Sequence, residues 1–103
     1  MLLKFKAPVF VDNYSYEVTL EFTETKHDKA NARLFDIYIE NELVIEDFDV
    51  FSAANGNNIP TRQTFNILVK GNYLDIDFVA KIDHAQVSAV KIKSYSPDIK
   101  GCS

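Results

Sequence analysis

Asp75 and Asp77 stand two residues apart, the spacing that puts two carboxylates on one face of a strand. Such a pair invites a reading as general acid and base, or as calcium ligands. A glycosidase, however, sets its carboxylates ~5–9 Å apart across a cleft, and two on one open strand are ordinarily a solvated face. Calcium wants six to eight oxygens, and no loop offers them at a recognisable spacing. Asp83 beside His84 resembles an orienting pair, yet no serine or cysteine nucleophile motif accompanies it. His27 with Asp28 lies in a polar stretch, where loop residues can line a ligand site. Tyr38 and Tyr73 fall at outward positions of alternating segments. There they can stack on a ligand or fill an interface. Asn55 and Asn57 sit around a turn and carry amides suited to hydroxyl recognition. No catalytic constellation results, no cofactor motif is present, and no Cys/His set exists for a metal.

These groups hang on segments of strict two-residue alternation. Tyr14, Tyr16, Val18, Leu20 and Phe22 share one face of a strand, and Ser15, Glu17, Thr19, Glu21 and Thr23 share the other. Phe35, Ile37 and Ile39 alternate with polar neighbours. A tight turn at Glu40-Asn41 then leads to Leu43–Ile45 and a bent continuation through Phe48 and Val50. Leu2–Phe10 is expected as a first strand, with Pro8 suiting an edge. Arg62–Lys70 and Tyr73–Lys81 flank Gly71-Asn72 and are expected to form a hairpin. Val87–Tyr95 makes a last strand. Thr25–Ala32 reads as a loop, and so does Phe51–Thr61, with a turn at Asn55-Gly56. The expected fold is all-β: an antiparallel two-sheet sandwich, jelly-roll-like, of about seven strands. It would form one domain over 1–95, with a polar tail over 96–103.

Four successive segments of the chain resemble the malectin and malectin-like domains. They are FVDNYSYEVTLEFTE, RLFDIYIENELVIEDFDV, the stretch holding Ala53, Ala54 and Gly56, and GNYLDIDF followed by VSAVKI. Arg33, Phe35, Asp36, Phe48 and Asp49 stand at the positions of the second and most diagnostic segment. The resemblance covers roughly residues 5 to 93 and implies a non-catalytic module that binds carbohydrate, in malectin a short glucose disaccharide. It implies a sugar-contacting aspartate just before the last strand, where this chain has Asp83. It also implies an aromatic pair after the LEFTE strand, where this chain has Lys26 and His27 instead. Malectin's remaining sugar-contacting tyrosines fall before the matched part. The expected ligand is therefore a neutral, glucose-type oligosaccharide held by Asp83, Tyr38, Tyr73, Asn55, Asn57 and His27. The alternative is a protein-interaction or structural domain that has lost the sugar site and assembles with another chain, or with its own copies, through an uncovered sheet edge.

Charge and cysteine usage bound the remaining partners. A net charge of −4 disfavours nucleic acid, which needs clustered Lys and Arg. Apolar runs are far shorter than the roughly twenty residues of a membrane-spanning helix, so no membrane insertion is expected. The single Cys102 cannot close an intrachain disulfide. With no leader-like opening segment, the chain, if complete, is expected to be intracellular.

Overall fold

The computed structural model describes residues 2–9 and 14–94. The elements run β1 (Leu2–Pro8), β2 (Tyr14–Thr23), β3 (Leu34–Ile39), β4 (Glu42–Phe48), α1 (Val50–Ala54), β5 (Pro60–Val69), β6 (Tyr73–Ile82) and β7 (Ala89–Ser94). One sheet has the order β1-β6-β3-β4 and the other β5-β2-β7, with every pairing antiparallel. The alternation in the sequence explains the layering. Each strand turns one apolar row inward, and the two inward faces stack.

Phe22 sits at the centre of that core. Its ring lies 4.8 Å from Phe48, 5.9 Å from Phe35 and 6.5 Å from Phe78, in tilted and edge-on arrangements. Those contacts tie β2 of one sheet to β3, β4 and β6 of the other. Val18, Leu20, Ile37, Ile39, Leu74 and Ile76 are fully buried around it.

Three expectations are corrected. β5 and β6 do not form a hairpin: β5 pairs with β2, and β6 pairs with β1 and β3. Residues 70–72, with Gly71 at φ 114°, carry the chain from one layer to the other. The inward rows of the two strands then face each other across the core instead of lying side by side. The second correction is α1, in a stretch expected to be loop. Asp49 caps it, accepting from the Ser52 N–H and hydroxyl. Asn55 closes it in the left-handed conformation, before Gly56 at φ 151°. Third, the strand bounds shift. β5 starts at Pro60 rather than Arg62, and β7 starts at Ala89 rather than Val87. Phe10, Tyr95 and the tail expected over 96–103 lie outside the described residues.

The β3–β4 hairpin does form. Glu40 and Asn41 both take positive φ, at 54° and 65°, as a two-residue turn matched to strand twist requires. Glu40 is fixed there twice. Its N–H donates to the Asp75 carbonyl, and its carboxylate accepts the Asp75 N–H.

Truncating the hub should show this dependence. Phe22→Ala is expected to cost about 3–5 kcal/mol of unfolding free energy. The solvent-facing Thr19→Ala on the same strand should cost under about 1 kcal/mol. Equilibrium denaturation followed by circular dichroism reads both.

Candidate functional site

Glu24 follows β2 on the same parity as Tyr16, Val18, Leu20 and Phe22, so the strand delivers its carboxylate toward the core. It is 1% exposed. Arg33, just before β3, meets it: Nε donates to Oε1 at 2.8 Å and Nη2 to Oε2 at 3.2 Å. Oε2 also accepts the backbone N–H of Lys26 and of His27. The third arm of the guanidinium, Nη1, donates to the His84 carbonyl at 2.7 Å. One buried pair thus closes the base of loop 24–33 and reaches the β6–β7 loop. Burial pushes the Glu24 carboxyl up. The Arg33 guanidinium and the two backbone N–H groups outweigh that and hold it below its ordinary value of 4.5.

Two further bonds gather the neighbouring loops. The Asn58 N–H donates to the Glu24 carbonyl at 2.6 Å, and the Asn31 N–H donates to Asp49 Oδ2 at 2.6 Å. Loops 24–33, 55–59 and 83–88 and the start of α1 therefore lie at one end of the sandwich.

Asp83 stands at that end in the left-handed conformation, φ 61°. Its Oδ2 takes His27 Nε2 at 2.6 Å and Lys26 Nζ at 3.1 Å, and its Oδ1 takes the His84 N–H at 2.8 Å. His27, then Lys26 and the His84 N–H, hold its carboxyl well below the usual carboxylate range. An ionised carboxylate only accepts, so His27 carries its proton on Nε2. The side chains of His27 and Asp83 are 21% and 14% exposed, and that of Lys26 is 63% exposed. The unit presents a cation to solvent over a largely covered anion.

Of the residues singled out in the sequence, His27 and Asp83 are brought into direct contact. Asn55 and Asn57 share their end of the molecule. Tyr38 and Tyr73 do not. Tyr38 lies near the end of β3 on the outer face of the four-stranded sheet, opposite Asp77 and Leu43. Tyr73 lies at the far end, opposite Pro8, with Lys6 Nζ 5.0 Å from its ring centroid. Asp77 is paired with Lys4 across strands at 3.1 Å, as a solvated face would be. Asp36 accepts the Asp47 N–H and Asp49 caps α1, so both act on neighbouring backbone. A cleft of about 250 Å³ lined by Pro8, Val9, Tyr16, Ile92 and Ser94 lies at the end away from Asp83. Among the described residues no group of three or more His, Cys, Asp or Glu side chains is placed to hold a metal.

Glu24 and Lys26 were not among the residues expected to build a site, and Arg33 figured only as part of the resemblance. The signal for Glu24 was its parity, which places an acid on the apolar row.

A stack of two antiparallel sheets with hydrogen-bonded loops gathered at one end defines a β-sandwich domain. The chain belongs to the Malectin domain family, whose model matches residues 3–102. A probable receptor-like protein kinase of Arabidopsis thaliana is 46% identical over 46 residues, 45% of this chain and 5% of that protein. A probable LRR receptor-like serine/threonine-protein kinase of the same plant is 31% identical over 72 residues, 64% of this chain and 7% of that protein. The chain thus spans a small part of the curated relatives it matches.

Among solved structures, the ANX2 ectodomain from Arabidopsis thaliana superposes with a TM-score of 0.84 at 22% identity, covering 93% of this chain and 29% of that one. The complex of plant peptide RALF23 with FER and LLG2 gives 0.78 at 20% identity, covering 91% of this chain and 27% of the matched one. At those identities the likeness speaks for the fold. The expectation of an intracellular chain is overturned: the matched relatives are receptor-like kinases, and the matched structures include the ANX2 ectodomain. A chain without disulfides is compatible with either side of a membrane, so cysteine count was never decisive.

Removing one partner of the buried pair leaves an uncompensated charge. Arg33→Ala is expected to cost about 3–5 kcal/mol. Arg33→Lys should recover only part of it, because one ammonium cannot reach both Glu24 oxygens and the His84 carbonyl. Chemical denaturation of the three proteins compares them.

The pair also sets the acid response. Glu24 is lowered in the folded state, so its stabilisation is present above pH 4.5 and is lost as pH falls through its folded value. Asp83 acts in the same direction from its ordinary 3.8 downward. Glu24→Gln should be less stable than the wild type at pH 7 and should lose stability less steeply on acidification. Thermal melts across an acid pH series read the slope.

Proposed function

We propose that this chain is a non-catalytic recognition domain of an extracellular, receptor-like protein, and that its loop end holds a peptide or protein partner. The single domain would span residues 1–95. The observation behind this is the engagement of Asp83 by His27 and Lys26. Sugar recognition of the malectin kind pairs aromatic planes against the ring with a carboxylate available to its hydroxyls. Here the positions of the aromatic pair carry a histidine and a lysine, and both are spent on that carboxylate. What reaches solvent is a cation with neighbouring loop polar groups, a surface suited to carbonyls and carboxylates of a polypeptide. A fold neighbour, FER, is seen with the peptide RALF23 and with LLG2, which supports partners of this class.

A second reading rests on Asp83 itself. It keeps the place of the sugar-contacting aspartate, with Asn55 and Asn57 at the same end, so a neutral, glucose-type oligosaccharide remains a candidate ligand.

The two separate cleanly. Peptides selected against the chain from a displayed random library should bind saturably, and Lys26→Ala should weaken them about tenfold, the loss of one charge-assisted contact. Calorimetry with maltose and longer gluco-oligosaccharides at millimolar concentration should show no heat. Saturable oligosaccharide binding that Asp83→Ala abolishes would instead establish the sugar reading and overturn the first.

A further inference from the structure

Four strands form the edges of the two sheets among the described residues, and three of them carry features that block further pairing. β1 presents Lys4, Lys6 and Pro8. β4 has two register shifts, Asp47 at φ 55°, and the acids Glu42, Glu46 and Asp47. β7 is six residues long and carries Lys91 and Lys93. Charges, bulges, prolines and shortness are the devices that keep sheet edges apart.

β5 lacks nearly all of them. It runs ten residues, Pro60–Val69, and pairs with β2 in unbroken register along its whole length. Its one charge, Arg62, is held by Glu21 at 3.0 Å, and its one proline is the first residue. Its inward row includes Phe65 and Ile67, both only partly covered although they pack on the core. Leu68 on its outer row is 49% exposed.

We propose that β5 is a dimerisation edge, pairing antiparallel with β5 of a second copy of this chain. Charge favours a second copy here over any other edge. At the other edges each copy would bring like charges to the seam, three acids on β4 and two lysines on each of β1 and β7, whereas β5 brings one charge, Arg62, and residues 59–70 contain no Asp or Glu. The two-fold axis falls at Phe65. That register sets Phe65 against Phe65, Ile67 against Gln63 and Val69 against Thr61 on the inward face. On the outer face it sets Thr64 against Asn66 and Arg62 against Leu68. No like charges oppose, and Pro60, with no N–H to give, stays outside the paired stretch. A register centred on Thr64 would bring Pro60 into the ladder and set Phe65 against Gln63. The three-stranded sheets of the two copies become one, and the partly covered Phe65 and Ile67 gain neighbours. This inference rests on the edge alone and is independent of the loop-end reading.

Sedimentation velocity of the 103-residue chain, from low to high micromolar, tests it. A reversible monomer–dimer equilibrium is expected. Leu68→Lys sets a lysine against the partner's Arg62 at both symmetric positions and should weaken the dimer about tenfold. Leu68→Glu offers Arg62 a counter-charge and should leave the dimer as tight or tighter. Leu68 is half exposed, so circular dichroism should show both variants folded. Hydrogen exchange should slow along β5 as concentration rises. A chain that stays monomeric overturns the proposal, and so does a dimer indifferent to both substitutions.

Discussion

The Glu24–Arg33 pair is the constraint on which the loop end depends. A sandwich of this size gains its stability from stacked apolar rows, and nothing in those rows orders the connections between strands. Here an acid is carried on the last inward position of β2 and an arginine on the threshold of β3, so that they meet at the rim of the core. Each has spare hydrogen-bonding capacity, and the loops use it: two N–H groups on the carboxylate, one carbonyl on the guanidinium. A buried ion pair gives uncertain net stability against an apolar substitute. Its return is geometric, because a bidentate fork fixes direction as well as distance. Among the described residues no buried side-chain nitrogen or oxygen lacks a partner.

The Asp83 cluster is a second storey built on that base. His27 is placed by its own N–H on Glu24, and Asp83 lies one residue before the carbonyl that Arg33 holds. The imidazole and the carboxylate are therefore brought within 2.6 Å by the same pair beneath them. One buried pair thus positions both the loops and the charge cluster above them.

Most of the fold could be read from alternation alone. Tyr14–Thr23 and Tyr73–Ile82 are strands because each has an apolar row of period two, and the structure buries Tyr16, Val18, Leu20 and Phe22 of one and Leu74, Ile76 and Phe78 of the other. The β5–β6 hairpin was misread for a physical reason: Gly71-Asn72 has the composition of a hairpin turn, and local chemistry does not say whether the next strand lies beside its predecessor or across the core from it. α1 was missed because five residues show no helical period, although Asp49 is a residue type favoured at a helix N-cap. At the rim, Asp83 was singled out by its place in the resemblance. Its contact with His27 was not, since the two are 56 residues apart in sequence and only the fold joins them. Cross-loop pairs of that kind are set by topology, which spacing cannot report.

The crossing of the chain between layers also orders events in time. β1 finds its partner only in β6, while β2 is held between β5 and β7. Among the described strands, the hairpin of β3 and β4 is the one unit closed by neighbours in sequence, and it is the most irregular of the pairings. A ribosome extruding this chain must deliver nearly all of it before either layer can assemble. Until then Leu20, Phe22 and Phe35 are bare to the surroundings, and the slow closure of distant strands governs how fast the molecule matures.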